Sequence, residues 1–172
     1  ATANTIMAAV LAKGTSELVN VAREPEIIDL CKCLNSMGCK IQGEGEGTII
    51  IEGVDSLRDT THKVIMDRIE LGTFIIAGAI SDSELELTGG NIILLENFID
   101  KLYEVGIEVR QSKDNIRVKR INSASIKCTH VLTEPFPGFP TDLQAQMMAL
   151  LSIADGVSSI EEQIFENRYM HV

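Results

Sequence analysis

Two stretches of the sequence share one pattern: IIDLCKCLNSMGCKI at residues 27–41 and FIDKLYEVGIEV at residues 98–109. In each, apolar residues at helical spacing end at a leucine, a glycine follows four residues later, and an alternating apolar segment begins after it. Gly38 and Gly106 therefore stand where a helix C-terminus favours a left-handed residue. We predict a helix, a glycine cap and a strand in both stretches.

A hairpin is predicted after each of these stretches. The first runs from Lys40-Ile41 through the turn at 43–47 to a strand at 48–51, and the second runs from Glu108-Val109 through 112–115 to a strand at 116–118. Glycine, serine, asparagine and aspartate in the turns between alternating apolar segments are typical of hairpins.

An apolar helix followed by a turn and a short strand occurs three times, at residues 4–20, 73–87 and 142–161. Together with the helix and hairpin, it defines a helix–strand–helix–strand–strand unit that repeats about every 70 residues. The hairpins imply mixed strand directions, so we predict an α/β (α+β) fold of related units, the last one shorter than the others. The alternative is a coincidental similarity between amphipathic elements.

Composition narrows the classes of function. The chain has 172 residues, is 45% hydrophobic, lacks Trp and carries a formal net charge of -10. This charge argues against a nucleic-acid-binding surface. No apolar run is long enough to cross a bilayer, and no export signal is visible, so we expect a cytoplasmic protein without a membrane partner.

No metal or nucleophilic site is predicted from the spacing of cysteine and histidine. The four cysteines match no zinc pattern, and we expect them to be free thiols. The three histidines are too dispersed for a metal cluster, and none forms a Ser–His or Cys–His pair.

Four strings carry a resemblance to a known family: AREPEI at 22–27, DRIELGTF at 67–74, FPGFPTDLQAQ at 136–146 and IFENRYMHV at 164–172. They resemble the bacterial UDP-N-acetylglucosamine enolpyruvyl transferases, and the similarity extends over essentially all 172 residues. The last two strings favour this family over the related enzymes that make enolpyruvyl-shikimate phosphate.

The resemblance implies the two-lobed enolpyruvyl transferase fold, an inside-out α/β barrel with three units in each lobe and a cleft between the lobes. Residues 1–65 would be the last unit of the first lobe, and residues 66–172 the first part of the second. Because the sequence begins in the middle of the pattern, we expect it to be an internal fragment of a longer protein.

The resemblance also implies an activity. The enolpyruvyl group of phosphoenolpyruvate would pass to the 3-hydroxyl of UDP-N-acetylglucosamine, with release of phosphate, in the first committed step of peptidoglycan synthesis. The family uses no metal and no other cofactor. Its two partners would be the nucleotide sugar and phosphoenolpyruvate.

Asp142 is the candidate catalytic residue. It follows Pro140-Thr141, an expected helix start, so its carboxylate would lie in the first turn, where the helix dipole stabilises an anion. From spacing alone, a first-turn carboxylate with no catalytic role is the simpler interpretation. The resemblance instead maps the catalytic aspartate of the family onto Asp142.

Four further residues are candidate substrate contacts. Thr141 would cap the helix and contact the sugar. A guanidinium donates in a planar fork that suits phosphate or carboxylate, and the resemblance implies that Arg168 lines the anion pocket. The resemblance places Ile164, mainly through its backbone, and Phe165 against the nucleotide sugar. The simpler interpretations are an ion pair of Arg168 with Glu162 or Glu166 and strand packing for the two apolar side chains.

Glu24 and Arg68 belong to two charged turns near the predicted lobe boundary. They are either ordinary helix-start charges or residues that face the cleft and help govern lobe closure. Two positions depart from the family pattern, which usually has His at Phe136 and Ala at Glu134. These departures alter the loop before Asp142.

The family's reactive-cysteine loop and several of its anion-binding residues match no segment of this sequence. We therefore expect these 172 residues alone to be inactive and, because apolar surfaces would be uncovered, prone to self-association. A non-catalytic module that binds a nucleotide sugar or a protein partner is the alternative function.

Overall fold

The computed structural model describes residues 1–121 and 125–172. The helices are α1 Thr2–Ala9, α2 Pro25–Ser36, α3 Arg68–Ile80, α4 Glu96–Glu104 and α5 Gln144–Leu151. The strands are β1 Thr15–Val19, β2 Lys40–Gln42, β3 Thr48–Glu52, β4 Leu85–Thr88, β5 Ile107–Ser112, β6 Asn115–Arg120, β7 His130–Leu132 and β8 Ser159–Glu161. Two short 3-10 turns, Ile92–Leu95 and Thr141–Leu143, precede α4 and α5.

The chain divides into two compact units, Ala1–Ile65 and Met66–Val172. Each unit has its own apolar core, built mainly of aliphatic side chains because the sequence has few aromatic residues. Ile6, Ile49 and Ile51 are fully buried in the first unit, as are Ile75 and Phe98 in the second.

Two complete repeats have the predicted order of elements and the same sheet topology. In the first repeat (residues 2–52) the strand order is β1-β3-β2, and in the second repeat (residues 68–120) it is β4-β6-β5, with antiparallel pairing throughout. The register also matches, since Leu18 pairs with Ile49 where Leu87 pairs with Ile116. The predicted repeat and both hairpins are confirmed.

The glycine caps after α2 and α4 are confirmed. Gly38 has φ +103° and Gly106 has φ +93°, a region of backbone conformation that side chains disfavour. Each glycine turns the chain from the end of its helix directly into the next strand, β2 or β5.

The third segment (residues 130–172) keeps the helix and strand of the repeat but pairs its strand differently. Its strand β8 lies parallel to β7, a strand that the sequence analysis did not predict. β7 has only three residues, of which Val131 alone is fully buried, so it is too short to show a period-two pattern.

A close contact between α3 and the 3-10 turn fixes the start of α5. A Cβ atom added to Gly72 would lie 2.4 Å from Cδ1 of Leu143, a fully buried side chain. Gln146 on α5 also donates from its amide nitrogen to the Thr73 hydroxyl at 3.0 Å. Leu143 is therefore anchored, and its neighbour Asp142 has a fixed position at the surface.

Among the helices in the described parts of the chain, none combines the length and the apolar character required to cross a membrane.

Candidate active site

Asp142 lies in the 3-10 turn Thr141–Leu143 that leads directly into α5, as predicted for a residue at a helix start. The buried Leu143 side chain points into the core, whereas the Asp142 side chain remains 51% exposed. This exposed carboxylate near the N-terminus of a helix is accessible to a ligand from solvent.

Arg168 lies beside Asp142, although 25 residues separate them in the chain. Nη2 of Arg168 donates to Oδ1 of Asp142 at 2.7 Å, and its guanidinium carbon lies 5.3 Å from the centre of the Phe165 ring. Because both charged side chains are substantially exposed, this ion pair contributes little to stability. Its importance lies in placing a carboxylate and a cation next to each other.

Arg168 pairs with Asp142 and not with Glu162 or Glu166, the two partners that the simpler interpretation offered. The carboxylate of Glu162 is instead occupied by hydroxyl and backbone donors.

Thr141 is not a helix cap, which corrects the sequence analysis. Pro140 occupies the N-cap position, and no side chain caps this turn. The Thr141 hydroxyl donates to Oε2 of Glu162 at 2.8 Å and accepts from Nη1 of Arg168 at 3.1 Å. Thr141 is already within the turn, so its hydroxyl bonds across the site and not to the N–H groups that follow it.

Ile164 and Phe165 are not packed in a strand, because β8 ends at Glu161. Their backbone N–H groups donate to Oε1 of Glu162 at 2.8 and 3.2 Å. The Phe165 side chain is 54% exposed and lies beside the Arg168 guanidinium. Both residues therefore belong to the same surface as Asp142 and Arg168.

Glu162, which the sequence analysis considered only as an ion-pair partner of Arg168, belongs to the site through other bonds. Burial alone would raise the pKa of its carboxyl, but hydrogen bonds from the Thr141 and Thr133 hydroxyls and the Ile164 and Phe165 backbone hold the pKa below its usual range. Glu162 is therefore an ionised acceptor at neutral pH. The only signal in the sequence was its place three residues before Phe165, which no local pattern distinguishes.

Asp142, Arg168 and the segment 164–167 line an open groove of about 820 Å³. A carboxylate in this position can accept a proton from a hydroxyl group, while the adjacent guanidinium can hold a phosphate or carboxylate. Within residues 1–121 and 125–172, no group of three or more His, Cys, Asp or Glu side chains is placed to bind a metal ion.

Glu24 and Arg68 belong to different compact units. Glu24 is the N-cap residue of α2, and its Oε2 atom is buried without a hydrogen-bond partner in the described chain. Arg68 is the first residue of α3 and only 6% exposed, and its guanidinium carbon lies 5.7 Å from the centre of the Phe136 ring.

The sequence is similar to known proteins along its whole length. It is 56% identical over 171 residues to the UDP-N-acetylglucosamine 1-carboxyvinyltransferase of Ruegeria pomeroyi and 58% identical over 171 residues to that of Cereibacter sphaeroides, matches that cover 99% of this chain and 40% of each relative. The enolpyruvyl transferase NikO from Streptomyces tendae matches with a TM-score of 0.83 and 25% identity, over 96% of this chain and 39% of that one. The chain thus spans about 40% of the length of the relatives it matches.

These likenesses confirm both the predicted resemblance and the predicted fold. The family described as EPSP synthase (3-phosphoshikimate 1-carboxyvinyltransferase) matches residues 1–172. Since this match covers every residue and the repeated units have the fold of a solved enolpyruvyl transferase, the chain belongs to the EPSP synthase family of carboxyvinyl transferases.

Proposed function

We propose that a full-length transferase carrying this segment moves the enolpyruvyl group of phosphoenolpyruvate to the 3-hydroxyl of UDP-N-acetylglucosamine. The observation that carries the proposal is the 2.7 Å contact between Arg168 and Asp142 at the edge of an open groove. The two relatives are named UDP-N-acetylglucosamine 1-carboxyvinyltransferases and are 56% and 58% identical to this chain over the 171 aligned residues.

In this reaction the sugar hydroxyl oxygen bonds to C2 of phosphoenolpyruvate while a proton is added to C3, which gives a tetrahedral intermediate. Loss of a proton from C3 and of phosphate from C2 then restores the double bond. Asp142 would take the proton from the sugar hydroxyl, and Arg168 would hold an anionic group of a substrate. Every bond and proton in these two steps is accounted for by the two substrates and Asp142.

The hydrogen bonds within the site decide which groups of the other groove residues are free to contact the nucleotide sugar. The N–H group of Ile164 donates to Glu162, which leaves its carbonyl oxygen as the backbone group able to contact the nucleotide sugar. The exposed Phe165 ring offers an apolar face for the sugar or the uracil ring. Thr141 would contact the sugar only through the hydroxyl that also accepts from Arg168.

The product of this reaction is a precursor for peptidoglycan. We therefore place the protein in cell-wall biogenesis, which supports cell shape and cell division, and in the cytoplasm, where nucleotide sugars are available. The names of the relatives support this assignment because they contain the same nucleotide sugar, UDP-N-acetylglucosamine.

We also propose that Glu24 and Arg68 help govern closure of the two lobes in the full-length transferase. A buried carboxylate oxygen without a partner is costly, so Glu24 would gain a donor in another conformation of the protein. If so, Glu24→Gln should change KM for UDP-N-acetylglucosamine. An unchanged KM and kcat would contradict this role.

The 172 residues alone are proposed to self-associate, because apolar side chains are exposed in both units: Met7 and Leu11 on the first, Phe74 on the second. Sedimentation velocity over a range of concentrations tests this. A monomer at every concentration would contradict the proposal.

The test of the proposed function is Asp142→Asn in a full-length transferase that carries this segment. Phosphate release from phosphoenolpyruvate in the presence of UDP-N-acetylglucosamine should fall by about 10²–10⁴-fold, the range of general acid–base catalysis. Asp100→Asn is the matched control, because Asp100 is an exposed aspartate on α4. Near-normal phosphate release by Asp142→Asn would end the assignment.

A further inference from the structure

The Glu162 carboxylate joins three segments of the site through four hydrogen bonds. Its Oε1 atom accepts from the Thr133 hydroxyl at 2.8 Å and from the N–H groups of Ile164 and Phe165 at 2.8 and 3.2 Å. Its Oε2 atom accepts from the Thr141 hydroxyl at 2.8 Å. Thus one side chain connects the end of β7, the turn before α5 and the segment that leads to Arg168.

We propose that Glu162 is a positioning residue that sets the orientation of Arg168 against Asp142 through the hydroxyl of Thr141. The inference rests on the proposed function, because it assigns the catalytic carboxylate to Asp142. Glu162 itself bonds neither Arg168 nor Asp142, so its effect on the site is indirect.

The direction of the Thr141 hydroxyl is the first step of this effect. A threonine hydroxyl has one hydrogen, and an ionised carboxylate can only accept a hydrogen bond. Since the hydrogen is directed at Glu162, a lone pair of the same oxygen is free to face Nη1 of Arg168 at 3.1 Å. An amide at position 162 could donate to Thr141 and would no longer fix the hydrogen in this direction.

The backbone bonds of Glu162 support Arg168 from its other side. The N–H groups of Ile164 and Phe165 are held by Oε1, which fixes the backbone that carries the Phe165 ring. Arg168 lies over this ring, with its guanidinium carbon 5.3 Å from the ring centre. Its guanidinium is therefore oriented by an aromatic face as well as by two hydrogen-bond acceptors.

The network is anchored in the protein interior by Thr133. This side chain is fully buried, donates to Glu162 and accepts from the N–H of Gln163 at 2.9 Å. The balance between burial and these hydrogen bonds, which keeps the pKa of Glu162 low, is consistent with a permanently ionised acceptor. The exposed pair of Asp142 and Arg168 is thus connected, through Glu162, to a fully buried side chain at Thr133.

The test is a double-mutant cycle in a full-length transferase that carries this segment, with Glu162→Gln, Thr141→Val and the double variant. Each single variant should lower kcat for phosphate release by roughly 10- to 100-fold, the effect of misplacing a catalytic group, with a smaller change in KM. Because the Thr141 hydroxyl lies on a path from Glu162 to Arg168 and is oriented by Glu162, the double variant should be no slower than the slower single variant. Effects that multiply, or a kcat of Glu162→Gln equal to that of the wild type, would overturn the proposal.

Glu161→Gln is the matched control, since Glu161 is an exposed neighbour whose carboxylate accepts from the side-chain amide of Gln163 and is not bonded to Thr133, Thr141 or Arg168. It should leave kcat unchanged. If Glu162→Gln does not fold, Thr141→Val carries the test alone, because it keeps the carboxylate but removes the hydroxyl link. Thr141→Val with wild-type kcat then overturns the proposal.

The rate at which the Arg168 guanidinium rotates is a readout that does not depend on activity. Nitrogen NMR measures this rate in the same variants. Nη1 and Nη2 have different acceptors, so rotation should be slow in the wild type and faster in Glu162→Gln and Thr141→Val. Equal rotation in all three proteins would overturn the positioning role. If the wild type releases no phosphate, the proposed function fails, and this measurement still decides whether Glu162 orients Arg168.

Discussion

The third segment shares one helix and one strand with the two complete repeats. Its strand pairs differently, and polar side chains interact beside that strand and not only apolar ones. In the first and second repeats, matched strand registers bury Ile49 and Ile116 at equivalent positions. In the third segment, β8 lies parallel to β7, and the residues after β8 form a hydrogen-bonded polar network around Glu162.

This difference indicates that the repeat itself is a structural framework and that the candidate site arises where the repeat is modified. The parallel pairing of β7 and β8 brings Thr133 and Glu162 close to each other just beyond the strand ends. Residues 2–52 and 68–120, which the structure describes in full, contain no counterpart of this bond between the ends of two parallel strands. Four predictions test the comparison, in order of decreasing effect.

The largest effect is expected from truncating the matched core positions. Ile49→Ala and Ile116→Ala should each destabilise their own unit by about 2–5 kcal/mol, because both side chains are fully buried and each substitution leaves a cavity. Native-state amide hydrogen exchange measures each unit separately. If one substitution costs several times as much as the other, the two repeats are not energetically equivalent.

The contact between the second repeat and the third segment should be sensitive to a single methyl group. Gly72→Ala is expected to cost about 1–3 kcal/mol, because the added Cβ would overlap the Leu143 side chain. Gly47→Ala is the control, since a Cβ there meets nothing within 4 Å. Equal unfolding free energies for the two variants in urea would show that Leu143 is free to move.

Acid should weaken the third segment through Glu162. Its pKa is lowered in the folded state, so its stabilising contribution is present above the unfolded carboxyl pKa of about 4.3 and is lost as the pH falls through the folded value. The difference in unfolding free energy between the wild type and Glu162→Gln should therefore shrink as the pH falls below the unfolded carboxyl pKa. A difference that grows on acidification would contradict the assignment.

The smallest effect concerns thiols and leaves stability unchanged. Burial, together with the charge of Glu44, raises the pKa of Cys31 to about 11, and burial also raises the pKa of Cys39, whereas Cys128 is exposed. Iodoacetamide at neutral pH should therefore label Cys128 in the folded chain well before Cys31 or Cys39. Mass spectrometry of peptides gives the order, and early labelling of Cys31 would show that the core of the first repeat opens readily.

The thiols also illustrate why the repeat could be predicted. Aligned on their glycine caps, Cys31 and Cys39 of the first repeat correspond to Ile99 and Ile107 of the second, and all four are buried. Periodic burial is a local property that any apolar side chain can satisfy, so it remains visible when residue types change. The hairpins were predictable for the same reason.

The candidate site was only partly predictable. The family strings identified Asp142 and Arg168, but no periodicity shows that they touch, because their contact depends on how α5 and the segment after β8 are placed in space. The roles of Thr141 and Glu162 depend on the same placement. Thr141 was wrongly predicted as a cap because the sequence does not show that the turn already begins at that residue.

The absence of a side chain at Gly72 has an evolutionary consequence. Positions 72 and 143 share one small volume, so a homologue with a larger residue at the first should have a smaller residue at the second, or a shifted turn between them. A shift of that turn would carry the neighbouring carboxylate with it. Any requirement on the position of the Asp142 carboxylate therefore extends to a helix position that bears no side chain.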